Sequence, residues 1–168
     1  KPQAELLYEK ALAYADLHGG ETVIDAYCGT GTISLCLAQK AGRVIGIEIV
    51  KEAIEDAKKN AAFNHIENAE FYAADAGEFM PKLYQEGLRP DVIVMDPVRA
   101  GCSETVLSAA AGMQPSRIVY VSCNVATFAR DAKILAGLGY TVKEVTPVDM
   151  FPQTMHVETV ALLTRKEK

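Results

Sequence analysis

Two side chains in the C-terminal half of the chain have the chemistry of a nucleophile and of a base. Cys123 directly follows an apolar run that predicts a strand. A thiolate is a strong nucleophile, and a thiol at a strand end is better placed for attack than one inside a helix. Glu158 interrupts another apolar strand, where a carboxylate is unusual for a core and typical of a general base. If that strand lies at the edge of a sheet, Glu158 is simply solvated.

A glycine-containing turn follows the first predicted strand. Gly29 and Gly31 lie in the segment Cys28-Gly29-Thr30-Gly31-Thr32, where the missing side chains let a ligand approach the backbone. Such turns also merely join strands to helices, so this signal is weak alone. The missing third glycine argues against a dinucleotide pyrophosphate. We interpret Cys28 as part of the wall of the site.

Acidic residues end the next two predicted strands. Glu48 is placed where a carboxylate would accept hydrogen bonds from both ribose hydroxyls of a nucleoside, although it could also be an exposed strand-end residue. Asp75 could reach an adenine edge by the same geometry, or it could cap the helix that follows it. A nucleoside site without a phosphate cradle favours S-adenosylmethionine over NAD or ATP.

A carboxylate and a guanidinium follow the fourth predicted strand. Asp96 and Arg99 lie in the segment Asp96-Pro97-Val98-Arg99. There they could stand beside both the cofactor and the substrate. Alternatively, Pro97 only ends the strand and Asp96 pairs with Arg99. His156 and Glu158 are two residues apart on the last strand and should therefore share a face.

The elements that must position these residues alternate between apolar strands and segments of helical period. We predict helices over 3–18, 31–40, 50–63, 76–87, 103–112 and 125–137, and strands over 22–27, 43–47, 70–74, 91–96, 117–122, 140–148 and 157–164. Strands separated by helices demand a mostly parallel sheet, and the last two strands can pair as an antiparallel hairpin. The fold class is therefore α/β, a doubly wound seven-stranded sheet. Ligands bind such sheets beyond the carboxyl ends of the strands.

The composition is that of one globular domain, residues 1–168. The chain is 49% hydrophobic and has 17 basic and 22 acidic residues, which give a net charge of −5. A negative net charge does not favour binding of nucleic acid through phosphate contacts alone. No apolar run approaches the roughly 20 residues of a membrane span, and no export leader is visible. We expect a cytoplasmic monomer.

The four cysteines are spaced in a way that does not predict a metal site. They contain no Cys-x-x-Cys pair, and no His stands at zinc-ligand spacing. Two disulfides are possible, but reduced thiols are the interpretation that fits a cytoplasmic chain. Cys36 and Cys102 are expected to pack rather than to react.

Four segments resemble those of the RNA 5-methyluridine methyltransferases, above all the bacterial enzymes acting on 23S ribosomal RNA. The resemblance covers essentially the whole chain and rests on Asp25-x-Tyr27-Cys28-Gly29-x-Gly31-Thr32, Asp96-Pro97-x-Arg99-x-Gly101-Cys102, Ser122-Cys123-Asn124-x-x-Thr127-x-Ala129-Arg130-Asp131 and Asp149-Met150-Phe151-Pro152-x-Thr154-x-His156-Val157-Glu158. It implies a Rossmann-like class I fold and methylation of uracil carbon 5 with S-adenosylmethionine.

The same resemblance implies roles for individual residues. Cys123 would be the nucleophile and Glu158 the base, while Arg99, Asp96 and Asn124 would orient the substrate. The cofactor would be held by residues of the turn and the strand ends, namely Tyr27, Gly29, Gly31, Thr32, Glu48, Asp75 and Asp96. Other possible functions are methylation of tRNA uracil, of cytosine carbon 5 or of an amino group, or cofactor binding without activity.

The chain departs from the family in two loops and in its extent. Val98 and Val125 stand where the family usually has proline, which loosens those loops without removing a reactive group. Family members also have an upstream RNA-binding barrel, a central domain and a Phe-x-Gln-x-Asn segment before the position of Lys1. We therefore expect the catalytic domain of a longer enzyme, whose RNA substrate is bound mainly by other domains.

Overall fold

The computed structural model describes residues 2–149 and 157–167. The helices are α1 (Pro2–Ala15), α2 (Thr32–Ala38), α3 (Lys51–Phe63), α4 (Ala76–Gln85), α5 (Glu104–Gly112) and α6 (Val125–Gly137). The strands are β1 (Thr22–Ala26), β2 (Arg43–Glu48), β3 (Ala69–Ala73), β4 (Val92–Met95), β5 (Arg117–Ser122), β6 (Tyr140–Asp149) and β7 (Val157–Arg165). Every predicted helix and strand is present.

The strands form one seven-stranded sheet in the order β3-β2-β1-β4-β5-β7-β6. All neighbours are parallel except β7, which runs antiparallel to both β5 and β6. The predicted doubly wound sheet with an antiparallel C-terminal strand is therefore confirmed. The order reverses between β1 and β4, where adjacent helices leave toward opposite faces and open a crevice.

Helices cover both faces of the sheet, and alternate strand residues point into two different cores. Val23 and Val94 pack on the face covered by α1 and α2, whereas Ile24 and Met95 pack on the face covered by α4, α5 and α6. α3 packs on a smaller cluster around Phe71. This arrangement leaves the carboxyl ends of the parallel strands as the edge at which polar side chains gather.

Several element boundaries differ from the prediction. α1 stops at Ala15 because Asp16 takes a left-handed backbone conformation with φ 53°. α5 begins one residue late because the hydroxyl of Ser103 accepts a hydrogen bond of 3.2 Å from the N–H of Val106 and caps the helix. β4 is limited to four buried residues, so Asp96 lies just beyond its end.

No helix within residues 2–149 and 157–167 has the length and apolar character needed to cross a membrane. Over the same residues, no cluster of three His, Cys, Asp or Glu side chains is placed to hold a metal ion.

Candidate active site

The predicted site residues come together at the carboxyl edge of the sheet. Tyr27 and Gly29 follow β1, Glu48 ends β2, Asp96 follows β4 and Cys123 follows β5. Parallel strands bring these ends to one edge, and the antiparallel β7 enters the sheet at the same edge. The predicted site residues therefore lie at the edge of the sheet at which ligands bind in this fold class.

Two cavities adjoin at Tyr27, which lines both of them. The first, of about 160 Å³, is also lined by Glu48, Ile49 and Asp75, and the second, of about 180 Å³, by Asp25 and Asp96 among others. A wider groove of about 890 Å³ lies at the opposite edge of the sheet, and none of the predicted site residues lines it. Several predicted site residues therefore line the two small cavities, whereas none lines this groove.

The turn after β1 uses unusual backbone conformations. Gly31 has φ 89°, and a Cβ there would stand 3.1 Å from the Ala57 Cβ and 3.2 Å from the Phe71 ring. Tyr27 is also left-handed, with φ 63°, which is a strained conformation for a bulky residue. The surrounding structure holds this strain at the point where the two cavities meet.

Glu48 is fixed by the backbone on both sides. Its Oε1 accepts a hydrogen bond of 3.1 Å from the Gly29 N–H, and its Oε2 accepts one of 3.0 Å from the Val50 N–H. Each carboxylate oxygen has further lone pairs, so both can accept another hydrogen bond from a ligand. The half-buried Glu48 is thus an oriented double acceptor and lines the first cavity.

Asp75 has two roles that the sequence presented as alternatives. Its Oδ1 accepts a hydrogen bond of 2.9 Å from the Gly77 N–H and caps α4, so the helix-capping interpretation is confirmed. The side chain nevertheless lines the same cavity as Glu48. Capping uses one oxygen, and a carboxylate has lone pairs for further hydrogen bonds.

Asp25 is the residue that the sequence interpretation passed over. Its side chain is buried within β1, with Oδ2 accepting a hydrogen bond of 2.6 Å from the Ser34 hydroxyl. Its Oδ1 is buried and has no hydrogen-bond partner among the described residues. Burial, opposed in part by Ser34 and reinforced by the charges of Asp96 and Glu48, raises the pKa of Asp25 to about 7. The signal for it in the sequence is a carboxylate inside an apolar strand, the same signal that Glu158 carries.

Asp96 feels the charge of one neighbouring carboxyl group and exerts its own charge on another. Burial and then the charge of Glu158 raise the pKa of Asp96 to about 7, while the charge of Asp96 contributes to the raised pKa of Asp25. Asp96 keeps contact with solvent, and Glu158 is half-buried.

The pairing of β5 with β7 brings the predicted nucleophile and base together. Ser122 pairs with Thr159 at the end of the antiparallel register, and Cys123 and Glu158 are the residues next to that last pair on their two chain segments. The solvated-edge alternative for Glu158 is wrong, since β7 lies between β5 and β6.

Cys123 stands immediately before the start of α6. Asn124 caps that helix by accepting hydrogen bonds at Oδ1 from the N–H groups of Ala126, at 3.0 Å, and of Thr127, at 3.4 Å. Ser122 also closes the segment by accepting a 3.0 Å hydrogen bond from the Asn124 N–H. Cys123 is half-buried.

The other three cysteines are reduced and are placed less favourably for attack. Cys28 and Cys102 are buried, and burial raises the pKa of both thiols, that of Cys102 to about 12. Cys36 is half-buried in α2, where burial also raises the pKa of its thiol. Packing roles for Cys36 and Cys102 agree with the prediction, and Cys28 lines the second cavity as expected.

Arg99 and Asp96 do not pair. Among the ion pairs within the described residues, none joins these two side chains, so the pairing alternative is wrong. Arg99 is exposed at the mouth of the site, and its backbone carbonyl accepts a hydrogen bond of 3.2 Å from the Thr127 hydroxyl. His156 and the motif residues 150–155 lie outside the described residues.

Comparison with known proteins identifies the family. The family model described as tRNA (Uracil-5-)-methyltransferase matches residues 5–166. The chain belongs to this family. Its members are RNA uracil-5-methyltransferases, as the resemblance of the four sequence segments implied.

Close relatives come from several bacteria. A protein of Bacillus cereus (strain ATCC 10987 / NRS 248) with the name uncharacterized RNA methyltransferase is 58% identical over 166 residues, which are 99% of this chain and 36% of that protein. A protein of Clostridium tetani with the same name is 55% identical over 162 residues, covering 96% of this chain and 35% of its own length. The chain thus spans a little over a third of the curated relatives it matches.

Solved structures extend the likeness to the fold. The tRNA (uracil-54, C5)-methyltransferase of Pyrococcus abyssi in complex with S-adenosyl-L-homocysteine is 35% identical, with a TM-score of 0.78 over 95% of this chain and 38% of that one. The N-methyltransferase NodS of Bradyrhizobium japonicum is 17% identical with a TM-score of 0.80, covering 99% of this chain and 98% of that one, a likeness of fold alone. The architecture is that of the class I methyltransferases.

Proposed function

We propose that this chain is the catalytic domain of a longer enzyme that methylates carbon 5 of uracil in RNA, with S-adenosylmethionine as methyl donor and 23S ribosomal RNA as substrate. The observation that supports this proposal is that Cys123 and Glu158 stand next to the last pair of β5 and β7, at the same edge of the sheet as the cavities lined by acidic acceptors. Membership of the family supports the same reaction.

The residues around the two cavities fit S-adenosylmethionine. Glu48 presents two oriented oxygens to the first cavity, which suits the paired hydroxyls of a ribose, and Asp75 lies beside it for an adenine edge. The unpartnered buried Oδ1 of Asp25 borders the second cavity and suits the ammonium of a methionine group. Tyr27, Gly29, Gly31 and Thr32 would complete the site. When bound, the cofactor supplies a methyl group on a sulfonium.

Methylation of uracil at carbon 5 requires a nucleophile and a base, and in this proposal they are Cys123 and Glu158. Carbon 5 of uracil is a poor nucleophile, so the Cys123 thiolate adds to carbon 6 and produces an enolate with high electron density at carbon 5. After carbon 5 has gained the methyl group, the Glu158 carboxylate removes its remaining proton. The bond between carbon 6 and sulfur then breaks, which releases the thiolate and restores the aromatic ring.

Asp96, Arg99 and Asn124 would orient the pyrimidine. Because the pKa of Asp96 is raised, this carboxyl group can hold a proton near neutral pH and donate a hydrogen bond to a uracil carbonyl. The exposed guanidinium of Arg99 offers further donors for the enolate oxygen. Donors to carbonyl oxygens favour uracil over cytosine, whose exocyclic group is an amine. The base must leave its stack to enter this site.

Other parts of the enzyme would supply most of the RNA affinity. The chain has a net charge of −5, whereas phosphate contacts by Lys and Arg supply most non-specific affinity for nucleic acid. We therefore expect residues 1–168 alone to methylate RNA poorly compared with the full-length enzyme. Full activity of this chain alone would contradict the proposed division of labour.

The decisive experiment maps the methylated atom. Full-length enzyme is incubated with labelled S-adenosylmethionine and transcripts of 23S ribosomal RNA and of tRNA, and the product nucleosides are then identified. We expect 5-methyluridine in the ribosomal transcript. Label in tRNA would instead favour the alternative represented by the Pyrococcus abyssi relative, and label on an exocyclic amine would overturn the reaction itself.

A further inference from the structure

The segment that carries Arg99 is attached to α6 by successive backbone contacts. Thr127, Arg130 and Asp131 stand at spacings of three and four residues and thus share one face of the helix. The contacts are the Thr127 hydroxyl with the Arg99 carbonyl at 3.2 Å, the Arg130 Nη2 with the carbonyls of Ala100 at 2.9 Å and Cys102 at 3.3 Å, and the Asp131 Oδ2 with the Cys102 N–H at 2.8 Å. One helix face therefore sets the path of residues 99–102.

Asp131 is the most deeply buried member of this face. Its side chain has no solvent exposure, and its Oδ2 accepts hydrogen bonds from the Cys102 N–H and, at 2.5 Å, from the Tyr120 hydroxyl. Its Oδ1 accepts from the guanidinium of Arg130 at 3.0 Å and 2.9 Å. A buried carboxylate gives weak net stability compared with an apolar residue of similar size. Its complete set of directional contacts instead specifies one arrangement of the loop.

Gly101 allows the loop to approach this helix face. Its φ is 80°, and a Cβ at this position would stand 2.7 Å from the Arg130 Nη2 and 2.7 Å from the Asp131 Oδ2. Any larger residue would push the loop away from α6. The close approach is therefore a built feature of the loop between β4 and α5.

The same contacts connect the parts of the proposed site. Thr127 shares its single hydroxyl proton between the carbonyls of Arg99 and Asn124, and Asn124 directly follows Cys123. On the other side, the Cys102 thiol lies close to the hydroxyl of Tyr27, which lines both cavities. A displacement of the loop would therefore change the distance between Arg99 and the nucleophile.

We propose that Asp131, with Thr127 and Arg130, is a positioning residue that holds Arg99 at the correct place relative to Cys123 for reaction with uracil. The proposal rests on the proposed function and adds to it a residue that touches neither substrate nor cofactor. Displacement of a reacting group by about 1 Å can reduce a rate by about 100-fold, so loss of the contacts between α6 and residues 99–102 should have a measurable effect.

The test is a double-mutant cycle in the full-length enzyme, measured as the single-turnover rate on a uridine transcript that the wild type methylates. Asp131→Asn should lower this rate about 10- to 100-fold, while calorimetry shows S-adenosylmethionine affinity within about twofold of wild type. In an Arg99→Ala background the same substitution should lower the rate less than about threefold, because the group that it positions is gone. Tyr120→Phe is the matched control, since it removes a donor to the same carboxylate and leaves the loop contacts. Its loss should stay below about threefold.

A second variant covers the case in which Asp131→Asn does not fold. Thr127→Val is isosteric, leaves the buried carboxylate untouched and removes the hydroxyl contacts with the carbonyls of Arg99 and Asn124. We expect a smaller loss that also disappears in the Arg99→Ala background. An equal loss of rate in the wild-type and Arg99→Ala backgrounds would overturn the positioning role. The proposed function would stand in that case, because the wild type would still methylate uracil. A wild type that methylates no uracil would overturn the proposed function, and the positioning role with it.

Discussion

Asp96 and Glu158 form a pair of neighbouring carboxyl groups, in which burial and then the charge of Glu158 raise the pKa of Asp96 to about 7. Two such groups share one site most favourably when one holds a proton and the other is ionised. In the proposed reaction, Asp96 would act as a hydrogen-bond donor and Glu158 as the base.

Substitution of Glu158 by Gln should separate the steps of the proposed reaction. Attack by Cys123 and methyl transfer need no base at carbon 5, so only proton removal should stall. The full-length variant should accumulate a covalent protein–RNA complex that already carries the labelled methyl group, visible on a denaturing gel. Turnover should fall about 10²- to 10⁴-fold, the usual effect of losing a general base.

The control for this substitution is Glu144→Gln, which removes an exposed carboxylate from the neighbouring strand β6. It should leave turnover unchanged and trap no complex. Near-normal turnover of Glu158→Gln without a trapped complex would assign the base to Asp96 or a water molecule.

The identity of the nucleophile can be read from a trapped adduct. Cys123→Ala should abolish turnover, whereas Cys36→Ala and Cys102→Ala should reduce stability at most, because those thiols are packed away. RNA containing 5-fluorouridine should form a stable adduct, since the fluorine cannot leave carbon 5 as a proton does. Mass spectrometry should place the adduct on Cys123, and an adduct on Cys28 or Cys102 would refute the assignment.

Glu48→Ala should weaken binding of S-adenosylmethionine by about 1 to 3 kcal/mol, the usual effect of removing a partner from hydrogen-bond donors. Calorimetry with the full-length enzyme measures this change. Glu70→Ala is a suitable comparison, because Glu70 ends in an exposed pair with Arg43 away from both cavities. Equal affinity in the two variants would remove Glu48 from the cofactor site.

Asp25 should make the stability of the ligand-free chain depend on pH. Its pKa is about 7 in the folded state against an ordinary 3.8, mainly through burial, so the folded state binds this proton more tightly than the unfolded chain. The contribution of Asp25 to the free energy of unfolding is therefore most favourable at low pH, and it falls as the pH rises from about 4 through about 7. The Asn side chain of Asp25→Asn does not titrate. Relative to the wild type, the free energy of unfolding of this variant should therefore increase by about 2 to 4 kcal/mol over that range.

Urea unfolding of both proteins at pH 5 and at pH 8 measures this gain. The difference in unfolding free energy between Asp25→Asn and wild type should be larger at pH 8. A difference that does not change with pH would show that Asp25 does not titrate in this interval.

Gly46→Ala should destabilise the sheet through overpacking. An added Cβ would stand 2.6 Å from a Phe71 ring carbon and 3.0 Å from the Cys28 sulfur, so the loss should be about 1 to 3 kcal/mol. Gly112→Ala is the matched control, because nothing lies within 4 Å of a Cβ there and alanine favours the helix. Chemical denaturation should show opposite signs for the two variants.

The sequence predicted the fold because each element carried its own periodic signal. Leu7, Ala11 and Tyr14 indicated one buried face of α1, and all three are buried. The end of α1 was predicted too late, because the left-handed conformation of Asp16 is a local backbone choice without a Gly or Pro to mark it. The site edge followed from the fold class, since parallel strands must place their carboxyl ends together.

The parts of the site that were missed depend on tertiary contacts. Asp131 stands between Phe128 and Leu135 on the buried face of α6, so the helical period alone would have marked it as a charge in an apolar stripe. Its partners could not be read from sequence, because the Cys102 N–H is 29 positions away along the chain. Asp25 carried a similar signal within β1.

The hydrogen bonds between α6 and residues 99–102 have a consequence for engineering. A chimaera that takes only residues 96–102 from a relative with another RNA target would pair a foreign loop with Thr127, Arg130 and Asp131 of this chain. Since each of these residues contacts a particular backbone group of the loop, a small change in loop path leaves a buried carboxylate without its donor. Loop and helix should therefore be exchanged together as a single cassette, with the cysteine segment between β5 and α6 included.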